Sequence, residues 1–317
     1  MNQKIDILMA VYNNADYLTT QLQSIFDQTY SNFRLIIRDD CSKDNSVAIV
    51  EEFSQKYPGK ILLIQGTENL GALGNFISLL DYAKGDYVLF SDGDDYWLPT
   101  KIEETLAVML KKEAEYGTET PILIHTNLKV VDRNLKIINE SFWDYSKINP
   151  QKAKTLNRLL VQNVITGCTM LINKSLVSLA TPIPKGVIMH DWWLGLVAAA
   201  FGQVDVIPKA TILYRQHGKN EVGAKNFNGL SIYLAYVKKI SSLEGRNQLR
   251  KNLHKTMDQS ALFLNKFANH LNSEQLKVVQ YYISIKTAGT FQKRNLFFKH
   301  RFFKQSLSRN IGMFFLL

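Results

Sequence analysis

The sequence reads Asp86-Tyr87-Val88-Leu89-Phe90-Ser91-Asp92-Gly93-Asp94-Asp95-Tyr96-Trp97 across one short segment. Its apolar run from Tyr87 to Phe90 predicts a buried β-strand, and the three carboxylates predict a loop at its carboxyl end. Carboxylates this close repel one another unless a cation or water lies between them. The residue types suit Mg²⁺ or Mn²⁺, and a solvated acidic turn is the alternative. Gly93 is expected to let the backbone turn tightly beside a ligand.

Strands and helices alternate before this acidic loop. The strand patterns lie at 4–12, 33–37 and 61–64, and the helical patterns lie at 15–28, 45–57 and 71–83. This spacing predicts βαβ units and an α/β fold with a doubly wound, mostly parallel sheet. Because right-handed crossovers bring the carboxyl ends of parallel strands to one edge, the loops after strands one, two and four should share a crevice.

Three kinds of side chain are expected in that crevice. Ala10 and Tyr12 follow the first strand, Asp39 and Asp40 follow the second, and the acidic loop follows the fourth. An aromatic ring, a carboxylate that accepts amide or imide N–H groups and a cation site together suit a nucleoside diphosphate. The chain has no Gly-x-Gly-x-x-Gly after the first strand and no Gly-Lys-Ser/Thr, which excludes the usual dinucleotide and P-loop motifs.

The pattern changes after the acidic loop. Helices are predicted at 100–115 and 152–162, strands at 122–124, 128–131, 165–172, 204–207 and 211–214, and an apolar helix from His190 to Phe201. From about 228 onward the pattern is helical throughout. We therefore predict a catalytic domain over residues 1–217 and a C-terminal helical segment over 218–317.

Composition and charge bound the class of protein. Hydrophobic residues make up 46% of the chain and charged residues 21%, which is typical of a folded globular protein. Two cysteines predict neither a disulfide framework nor a metal-ligand pattern. The sequence shows no signal peptide and no apolar stretch long enough to span a bilayer, so a cytoplasmic location is predicted.

The basic charge is concentrated at the C-terminus. The net charge is +10, and residues 275–317 contribute +8 of it because they contain no Asp or Glu. Aromatic residues alternate with the basic ones, a composition typical of segments that lie on an anionic membrane surface. Packing of these aromatics against the preceding helices is the alternative. Nucleic acid is not predicted as a partner, because no known binding module is visible.

Five motifs in order give the chain a family resemblance. They are Ala10-Val11-Tyr12-Asn13, Asp39-Asp40-Cys41-Ser42-Lys43-Asp44, Asn69-Leu70-Gly71 with Asn75-Phe76, Ser91-Asp92-Gly93-Asp94-Asp95 and His190-Asp191-Trp192. Together they resemble the family-2 inverting glycosyltransferases, which have the GT-A fold. Residues 125–132 and Tyr214-Arg215-Gln216-His217 most resemble bacterial rhamnosyltransferases, which build rhamnose-containing cell-wall and capsular polysaccharides.

The resemblance implies roles for individual residues. It assigns the nucleobase and ribose to Ala10, Tyr12 and Asp40, with Asn69 also at the donor. It assigns Mg²⁺ or Mn²⁺ to Asp94 with help from Asp92, and the cation or diphosphate to His217. It assigns the general base to Asp191, for which helix capping is the alternative. A surface position is the alternative for His217.

It also implies substrates and a location. The donor would be a dTDP- or UDP-linked sugar, with dTDP-L-rhamnose favoured, and the acceptor a lipid-linked saccharide or polysaccharide. The enzyme would lie on the inner face of a bacterial plasma membrane. UDP-glucose, UDP-galactose or UDP-galactofuranose as donor, a nucleotidyltransferase and an inactive membrane-tethered scaffold are the alternatives. The sequence leaves undecided whether the chain forms a homodimer. Two roles are considered for each of Trp97, Trp192 and Trp193, which are stacking against a sugar ring and packing in the core.

Overall fold

The computed structural model describes residues 3–218, 223–224 and 241–316. The chain forms two compact units. Unit 1 comprises residues 1–142, 165–181 and 203–223, and unit 2 comprises 143–164, 182–202 and 224–317.

Nine strands of the described chain form the sheet of unit 1. They are β1 (Ile5–Val11), β2 (Phe33–Asp39), β3 (Ile61–Gln65), β4 (Tyr87–Asp92), β5 (Tyr96–Trp97), β6 (Ile122–Asp132), β7 (Ile137–Asn139), β8 (Met170–Asn173) and β9 (Gln203–Gln216). Their order is β3-β2-β1-β4-β8-β6-β9-β5, with β7 paired to β6. The first four are parallel, β8 is antiparallel to both neighbours, and β6 and β9 are parallel.

The helices of the described chain fall in both units. They are α1 (Ala15–Phe26), α2 (Ser46–Lys56), α3 (Gly71–Leu80), α4 (Lys101–Tyr116), α5 (Phe142–Tyr145), α6 (Leu156–Leu159), α7 (Lys174–Ala180), α8 (His190–Phe201), α9 (Leu243–Phe267), α10 (Ser273–Ser284), α11 (Thr290–Lys299) and α12 (Leu307–Leu316). In α1 the helical spacing of Leu18, Leu22 and Ile25 places all three side chains in the core.

The register of the parallel strands places the predicted loops at one edge. Ala10 of β1 pairs with Arg38 of β2 on one side and with Asp92 of β4 on the other. Val11, one residue later, pairs with Asp39. The carboxyl ends of β1, β2 and β4 therefore lie side by side, and the predicted mostly parallel α/β sheet is confirmed.

Several predicted element boundaries differ from the structure. The two successive strands predicted at 122–124 and 128–131 form one continuous strand, β6, whose register with β9 is irregular at Thr126 and Asn127. The two strands predicted at 204–207 and 211–214 likewise form one strand, β9. The strand predicted at 165–172 is a 3₁₀ turn over Gly167–Thr169 followed by β8, because Thr169 Oγ1 donates to the Thr166 carbonyl and closes a local turn. The helix predicted at 152–162 is reduced to a 3₁₀ turn at Pro150–Lys152 and α6. The sequence pattern missed β5, β7, α5 and α7.

Unit 2 has its own aromatic core. The Trp193 ring of α8 packs against Phe263 and Phe267 of α9, with centroids 5.8 and 6.0 Å apart. This packing explains why residues 182–202 group with the C-terminal helices, although the sequence pattern had assigned them to the catalytic domain. The predicted boundary at 217/218 stays a prediction, and residues 219–222 after it lie outside the described residues.

The C-terminal aromatics divide between core and surface. Leu296, Phe297, Phe302 and Met313 are buried, and the Phe302 ring lies 4.9 Å from Tyr282. Phe291, Phe298 and Ile311 are exposed. Part of the segment therefore packs on the helices of unit 2, as the alternative prediction stated. Among the described helices, none combines the length and apolar character of a membrane span.

Candidate active site

The first two loops at the carboxyl edge of the sheet are joined by hydrogen bonds. After β1, the Asn13 amide donates to Ser42 Oγ at 2.9 Å, and the Lys43 amide donates to Asn13 Oδ1 at 2.8 Å. Asn13 has a φ of +51°, a left-handed conformation that asparagine tolerates better than most residues. Ala10 is partly exposed and Tyr12 is 48% exposed, so both predicted donor contacts are accessible to a ligand.

Asp40 is buried, and its carboxylate is engaged within the protein. It pairs with the Arg38 guanidinium, and it accepts hydrogen bonds from the Leu70 amide at 2.9 Å and the Gly71 amide at 2.8 Å. Both amides lie at the start of α3, where negative charge is favoured. Asn69 donates from Nδ2 to the Asp40 carbonyl at 2.9 Å. Asp40 and Asn69, both predicted donor residues, thus also hold the start of α3 in place.

Asp39, the last residue of β2, has a carboxylate oxygen to which none of the described residues donates. Its Oδ2 accepts from the Ser42 amide at 2.9 Å, whereas its Oδ1 is buried and makes no hydrogen bond within the described part of the chain. A buried acceptor without a donor costs free energy, which a ligand N–H could offset. The sequence places Asp39 at this edge, but the predicted base-binding residue was its neighbour, Asp40.

The three carboxylates of the acidic loop differ in exposure. Asp92 and Asp94 are partly exposed, whereas Asp95 is fully buried. Burial, reinforced by the negative charges of the other two, raises the pKa of Asp95 well above its ordinary value. The two partly exposed carboxylates are the ones predicted to bind a cation.

Gly93 lies between these two carboxylates and is itself buried. A Cβ atom added to Gly93 would lie 2.7 Å from Asn14 Oδ1, well inside van der Waals contact. Asn14 Oδ1 is fixed because it accepts a hydrogen bond from the Tyr12 amide at 2.9 Å. The close neighbour of Gly93 is therefore the loop after β1, where the sequence had suggested a ligand.

The end of β9 reaches the acidic loop through two side chains. Arg215 Nε donates to the Asp94 carbonyl at 2.7 Å, and the Arg215 amide donates to Asp95 Oδ1 at 3.1 Å. His217 Nε2 lies 2.7 Å from Asp94 Oδ2. The rings of His217 and Tyr17 stack with centroids 4.7 Å apart. The structure thus brings His217 to Asp94, two residues assigned to the same cation.

Beneath the acidic loop lies a buried group that sequence reasoning missed. Cys168 and Lys101 are both buried next to Asp95. Burial, followed by the charges of Asp95 and Asp92, raises the pKa of the Cys168 thiol well above its ordinary value. Burial lowers the pKa of Lys101 to about 8. Cys168 lies 73 positions after Asp95, so no local spacing could have revealed this cluster.

The acidic loop has the chemistry of a divalent-cation site. Ligand atoms of Asp92, Asp95 and Cys168 lie within 4.8 Å of one another, and among the described residues the buried Asp95 Oδ2 has no hydrogen-bond partner. Carboxylate oxygens suit Mg²⁺ and Mn²⁺, whereas a protonated thiol does not. The carboxylates therefore fit such a cation. Asp92 belongs both to the ligands predicted from the sequence and to this cluster of ligand atoms.

Asp191, the predicted base, lies in unit 2 in the first turn of α8. It is buried, and its Oδ1 accepts hydrogen bonds from Asn163 Nδ2 at 3.0 Å and from the Trp192 amide at 2.5 Å. The residue that caps α8 is Met189, whose side chain makes no capping hydrogen bond. Sequence reasoning did not identify Asn163, which orients the Asp191 carboxylate from 28 positions earlier in the chain.

The three tryptophans considered as sugar platforms have different environments. Trp97 and Trp193 are fully buried, so both belong to the core. Trp192 is partly exposed, and its Nε1 donates to the Leu159 carbonyl at 2.5 Å. Of the three, only Trp192 offers a ring surface to a ligand.

A comparison with sequence families identifies the chain. The sequence model of Glycosyl transferase family 2 matches residues 6–178, which is more than half of the chain and includes both the edge of the sheet and the acidic loop. The chain is a family-2 glycosyltransferase.

The relatives of this glycosyltransferase are named after different sugars. The dTDP-rhamnosyl transferase RfbG of Shigella flexneri is 29% identical over 228 residues, which cover 68% of this chain and 74% of RfbG. The UDP-Glc:alpha-D-GlcNAc-diphosphoundecaprenol beta-1,3-glucosyltransferase WfgD of Escherichia coli is 31% identical over 175 residues, or 55% of this chain and 62% of WfgD. The predicted resemblance to bacterial rhamnosyltransferases is thus confirmed.

Solved structures agree on the fold. Residues 1–349 of Staphylococcus aureus TarS, in complex with UDP-GlcNAc, superpose with a TM-score of 0.51 at 20% identity, covering 92% of this glycosyltransferase and 83% of that chain. The mannosyltransferase PcManGT of Pyrobaculum calidifontis, in complex with GDP-Man and Mn²⁺, gives a TM-score of 0.53 at 14% identity, covering 100% and 85%. The predicted GT-A fold with C-terminal helices is confirmed.

Proposed function

We propose that this glycosyltransferase moves a sugar, with inversion, from a nucleotide-diphospho-sugar to a hydroxyl group of a saccharide acceptor in bacterial surface-polysaccharide synthesis. The observation that carries the proposal is the edge of the sheet. There an accessible tyrosine, a buried carboxylate oxygen that no described residue bonds and an acidic loop with carboxylates suited to a divalent cation lie at the ends of three adjacent parallel strands.

We favour dTDP-L-rhamnose as the donor. The likeness to the Shigella flexneri rhamnosyl transferase extends over two thirds of this chain, which supports that choice. The likeness to the Escherichia coli glucosyltransferase supports UDP-glucose as the second candidate. Both donors carry a pyrimidine base with an imide N–H, a group that the unpaired Asp39 Oδ1 can accept.

Residues of unit 1 bind the donor. Ala10 and Tyr12 contact the base and ribose, beside the carboxylates of Asp39 and Asp40. Asp94 and Asp92 hold Mg²⁺ or Mn²⁺ at the diphosphate, and His217 holds Asp94 in place. The cation, when bound, supplies positive charge where negative charge grows on the departing diphosphate. The oxygen ligands that these two partly exposed carboxylates offer support this assignment.

Asp191 is the proposed general base. A sugar hydroxyl is a weak nucleophile, so its proton must leave as the oxygen attacks the anomeric carbon. Oδ1 of Asp191 already accepts two hydrogen bonds, and the carboxylate is thereby held in one orientation. A single base on the side of the acceptor suits attack from the face opposite the leaving group, which inverts the anomeric centre.

The first experiment is a thermal-shift screen with dTDP-L-rhamnose, UDP-glucose, UDP-galactose and UDP-galactofuranose, each with Mn²⁺ and with a chelator. A ligand that binds only the folded state raises the melting temperature by mass action. We expect the largest shift with dTDP-L-rhamnose plus Mn²⁺. A larger shift with UDP-glucose would transfer the proposal to the second donor, and no shift with any nucleotide would support an inactive scaffold.

The second experiment tests the base. Asp191→Asn keeps the size of the side chain but removes its basicity, so we expect transfer to fall by roughly 10²–10⁴-fold while the donor-induced thermal shift is retained. Asn163→Ala, which frees the carboxylate to rotate, should lower transfer by a smaller factor. Unchanged turnover in Asp191→Asn would remove this residue from the role of base.

We further propose that unit 2 lies on the anionic inner face of the plasma membrane and receives a lipid-linked acceptor there. Phe291 and Phe298 are exposed, lie seven residues apart on α11 and thus share one face of the helix. Lys299 and Arg301 are exposed beside them. Exposed aromatic rings next to basic side chains suit the headgroup region of an anionic bilayer.

Vesicle flotation tests the membrane proposal. A deletion of residues 291–317 would also remove the buried Phe297 and Phe302, so a substitution is the sharper test. We expect Phe291→Ser/Phe298→Ser to lose binding to phosphatidylglycerol vesicles at an unchanged melting temperature. Tyr116→Ser, a change of an exposed aromatic in unit 1, is the control. Equal flotation of the double variant and the wild type would end the proposal.

A further inference from the structure

A cleft within unit 2 lies beside Asp191. It has a volume of about 420 Å³, within the range of roughly 300–1,000 Å³ that small-molecule sites occupy. It is lined by residues of four segments of the chain, which are Val161, Gln162, Asn163, Ile188, Trp192, Asn252, Leu253, Lys255, Thr256 and Lys304. We call it the Trp192 cleft. Two of its walls belong to the Asp191 site, because Asn163 donates to Asp191 Oδ1 and Trp192 follows Asp191 in the chain.

The Trp192 cleft has two cationic groups. Lys255 and Lys304 both line it, and within the described chain neither ammonium makes a hydrogen bond or an ion pair. Lys255 is exposed, whereas Lys304 is partly buried. Burial, with a smaller effect of the Arg309 charge, lowers the pKa of Lys304 to about 8. A cation that is partly removed from water without a counter-ion loses solvation, and a bound anion would offset that loss.

Lys304 is held in position by its backbone. Its amide donates to Asn310 Oδ1 at 2.6 Å, and its carbonyl accepts from Asn310 Nδ2 at 3.0 Å. The residue after it is also fixed, because the Gln305 amide donates to Gln162 Oε1 at 3.1 Å. Arg158 Nη1 donates to the Phe303 carbonyl at 3.0 Å on the other side. The turn that carries Lys304 is therefore anchored, so that no ordering of the backbone is needed for its side chain to reach a ligand in the cleft.

The remaining walls suit a sugar. The Trp192 ring is partly exposed, and its Nε1–H is already used by the Leu159 carbonyl, so the ring offers an apolar surface in a fixed orientation. Gln162 and Asn163 also line the cleft, although Gln162 Oε1 already accepts from the Gln305 amide and Asn163 Nδ2 already donates to Asp191. An aromatic face, amides and two ammonium groups in one cleft correspond to a sugar ring that carries an anionic ester.

We infer that the Trp192 cleft is the acceptor subsite, and that it binds a glycosyl phosphate or diphosphate with the sugar on Trp192 and the phosphate groups on Lys255 and Lys304. This inference rests on the proposed function, since it assigns an acceptor to the base Asp191. It names the anionic ester at the reducing end of the acceptor as the feature that unit 2 recognises. A lipid-linked glycosyl diphosphate and a free glycosyl phosphate share this chemistry.

Calorimetry with the full chain in the presence of a chelator tests the cleft, and the probes are α-D-glucose 1-phosphate and methyl α-D-glucoside. We expect the phosphate to bind and the neutral glucoside to bind at least tenfold more weakly. Lys255→Met/Lys304→Met retains the apolar stems and should weaken binding of the phosphate at least tenfold. Lys304→Arg retains the charge and should retain binding. Lys251→Met, one turn earlier on α9 and outside the cleft, is the matched control and should behave as wild type.

A synthetic undecyl diphospho-glucose distinguishes the two sources of phosphate. Binding at least tenfold tighter than α-D-glucose 1-phosphate identifies a lipid-linked acceptor, and equal binding identifies a free glycosyl phosphate. If Lys255→Met/Lys304→Met binds α-D-glucose 1-phosphate and undecyl diphospho-glucose as tightly as the wild type does, the inference is overturned.

A UDP titration with Mn²⁺, performed on the same variants, separates this inference from the proposed function. If UDP binds equally well to every variant while the cleft variants bind the phosphates normally, only the acceptor subsite is wrong. If UDP does not bind to the wild type, the proposed function itself is wrong.

Discussion

His217 and Asp94 are joined by a hydrogen bond across 123 positions of sequence, with 2.7 Å between His217 Nε2 and Asp94 Oδ2. Both side chains are largely shielded from water, and the imidazole stacks on Tyr17. A ring fixed on one face and bonded at its edge restricts the Asp94 carboxylate to one orientation. If Asp94 binds the proposed cation, His217 would act on it through Asp94, in the manner of the outer-shell partners that orient metal ligands.

This relationship predicts unequal effects of two substitutions. Asp94→Asn should abolish the Mn²⁺-dependent part of UDP binding, because the ligand itself loses its charge. His217→Ala should weaken it by about 10–100-fold, the usual effect of losing an outer-shell partner. Isothermal titration with Mn²⁺ and with chelator measures both. Asp81→Asn, at an exposed position after α3, serves as the control. Wild-type affinity in His217→Ala would show that Asp94 does not need the imidazole.

Substitutions of the adjacent residues Asp39 and Asp40 should have different effects, one on UDP binding and the other on the stability of the fold. Asp40→Asn breaks a buried ion pair with Arg38 and weakens two hydrogen bonds at the start of α3, so we expect a loss of about 3–5 kcal/mol in the free energy of unfolding. Asp39→Asn should unfold at nearly the wild-type urea concentration and bind UDP at least tenfold more weakly. Urea titration and calorimetry on the two variants measure these effects.

The opposite result would be informative. If Asp39→Asn bound UDP normally and Asp40→Asn, measured below its melting temperature, did not, the base-binding role predicted from the sequence for Asp40 would stand. Ser54→Ala, a helical position in unit 1 remote from the edge of the sheet, controls for a general effect of substitution.

The part of the site that follows from the sequence is the part that periodic patterns determine. Parallel strands in βαβ units must end at one edge, so the juxtaposition of Ala10 with Asp92 and of Val11 with Asp39 could be predicted from apolar runs alone. The motif strings then identified the family. Burial could not be predicted in the same way, which is why Trp97 and Trp193 stayed open between core and ligand until the structure placed both in the core.

What escaped prediction depends on contacts between distant parts of the chain. The Arg215 amide and Asp95 are 120 positions apart, and Asn163 and Asp191 lie in separate elements. Neither pair belongs to a periodic pattern, because each depends on how a strand end or a loop is packed. The thiol of Cys168 reaches the acidic loop for the same reason. Tertiary packing determines which distant side chains orient a functional group, and the local spacing of residues in the sequence does not reveal it.

Gly93 and Asn14 should show coupled effects on stability. A methyl group at position 93 would lie 2.7 Å from Asn14 Oδ1, and the asparagine cannot move without losing its hydrogen bond from the Tyr12 amide. We expect Gly93→Ala to cost about 1–3 kcal/mol in the free energy of unfolding, as overpacking usually does. Asn14→Gly/Gly93→Ala should recover part of that loss. A double-mutant cycle by urea unfolding gives the coupling, and strict additivity of the two changes would contradict it.

The last prediction concerns acid, and it rests on two buried histidines. Burial lowers the pKa of His125 to about 4 and the pKa of His190 to about 3. In the unfolded chain each imidazole has a pKa of about 6.5, so below that pH the unfolded state binds protons that the folded state excludes. The stabilisation is therefore present above the unfolded pKa of about 6.5, and it is lost as the pH falls toward about 4 for His125 and about 3 for His190. From pH 7.5 to 5.5 each histidine should lower the free energy of unfolding by about 1.4 kcal/mol. His190→Gln should remove its share of this slope when urea unfolding of the chain is followed by tryptophan fluorescence, and His270→Gln, at an exposed position, is the matched control. An identical slope in His190→Gln and the wild type would mean that His190 takes up its proton in the folded state as readily as in the unfolded chain.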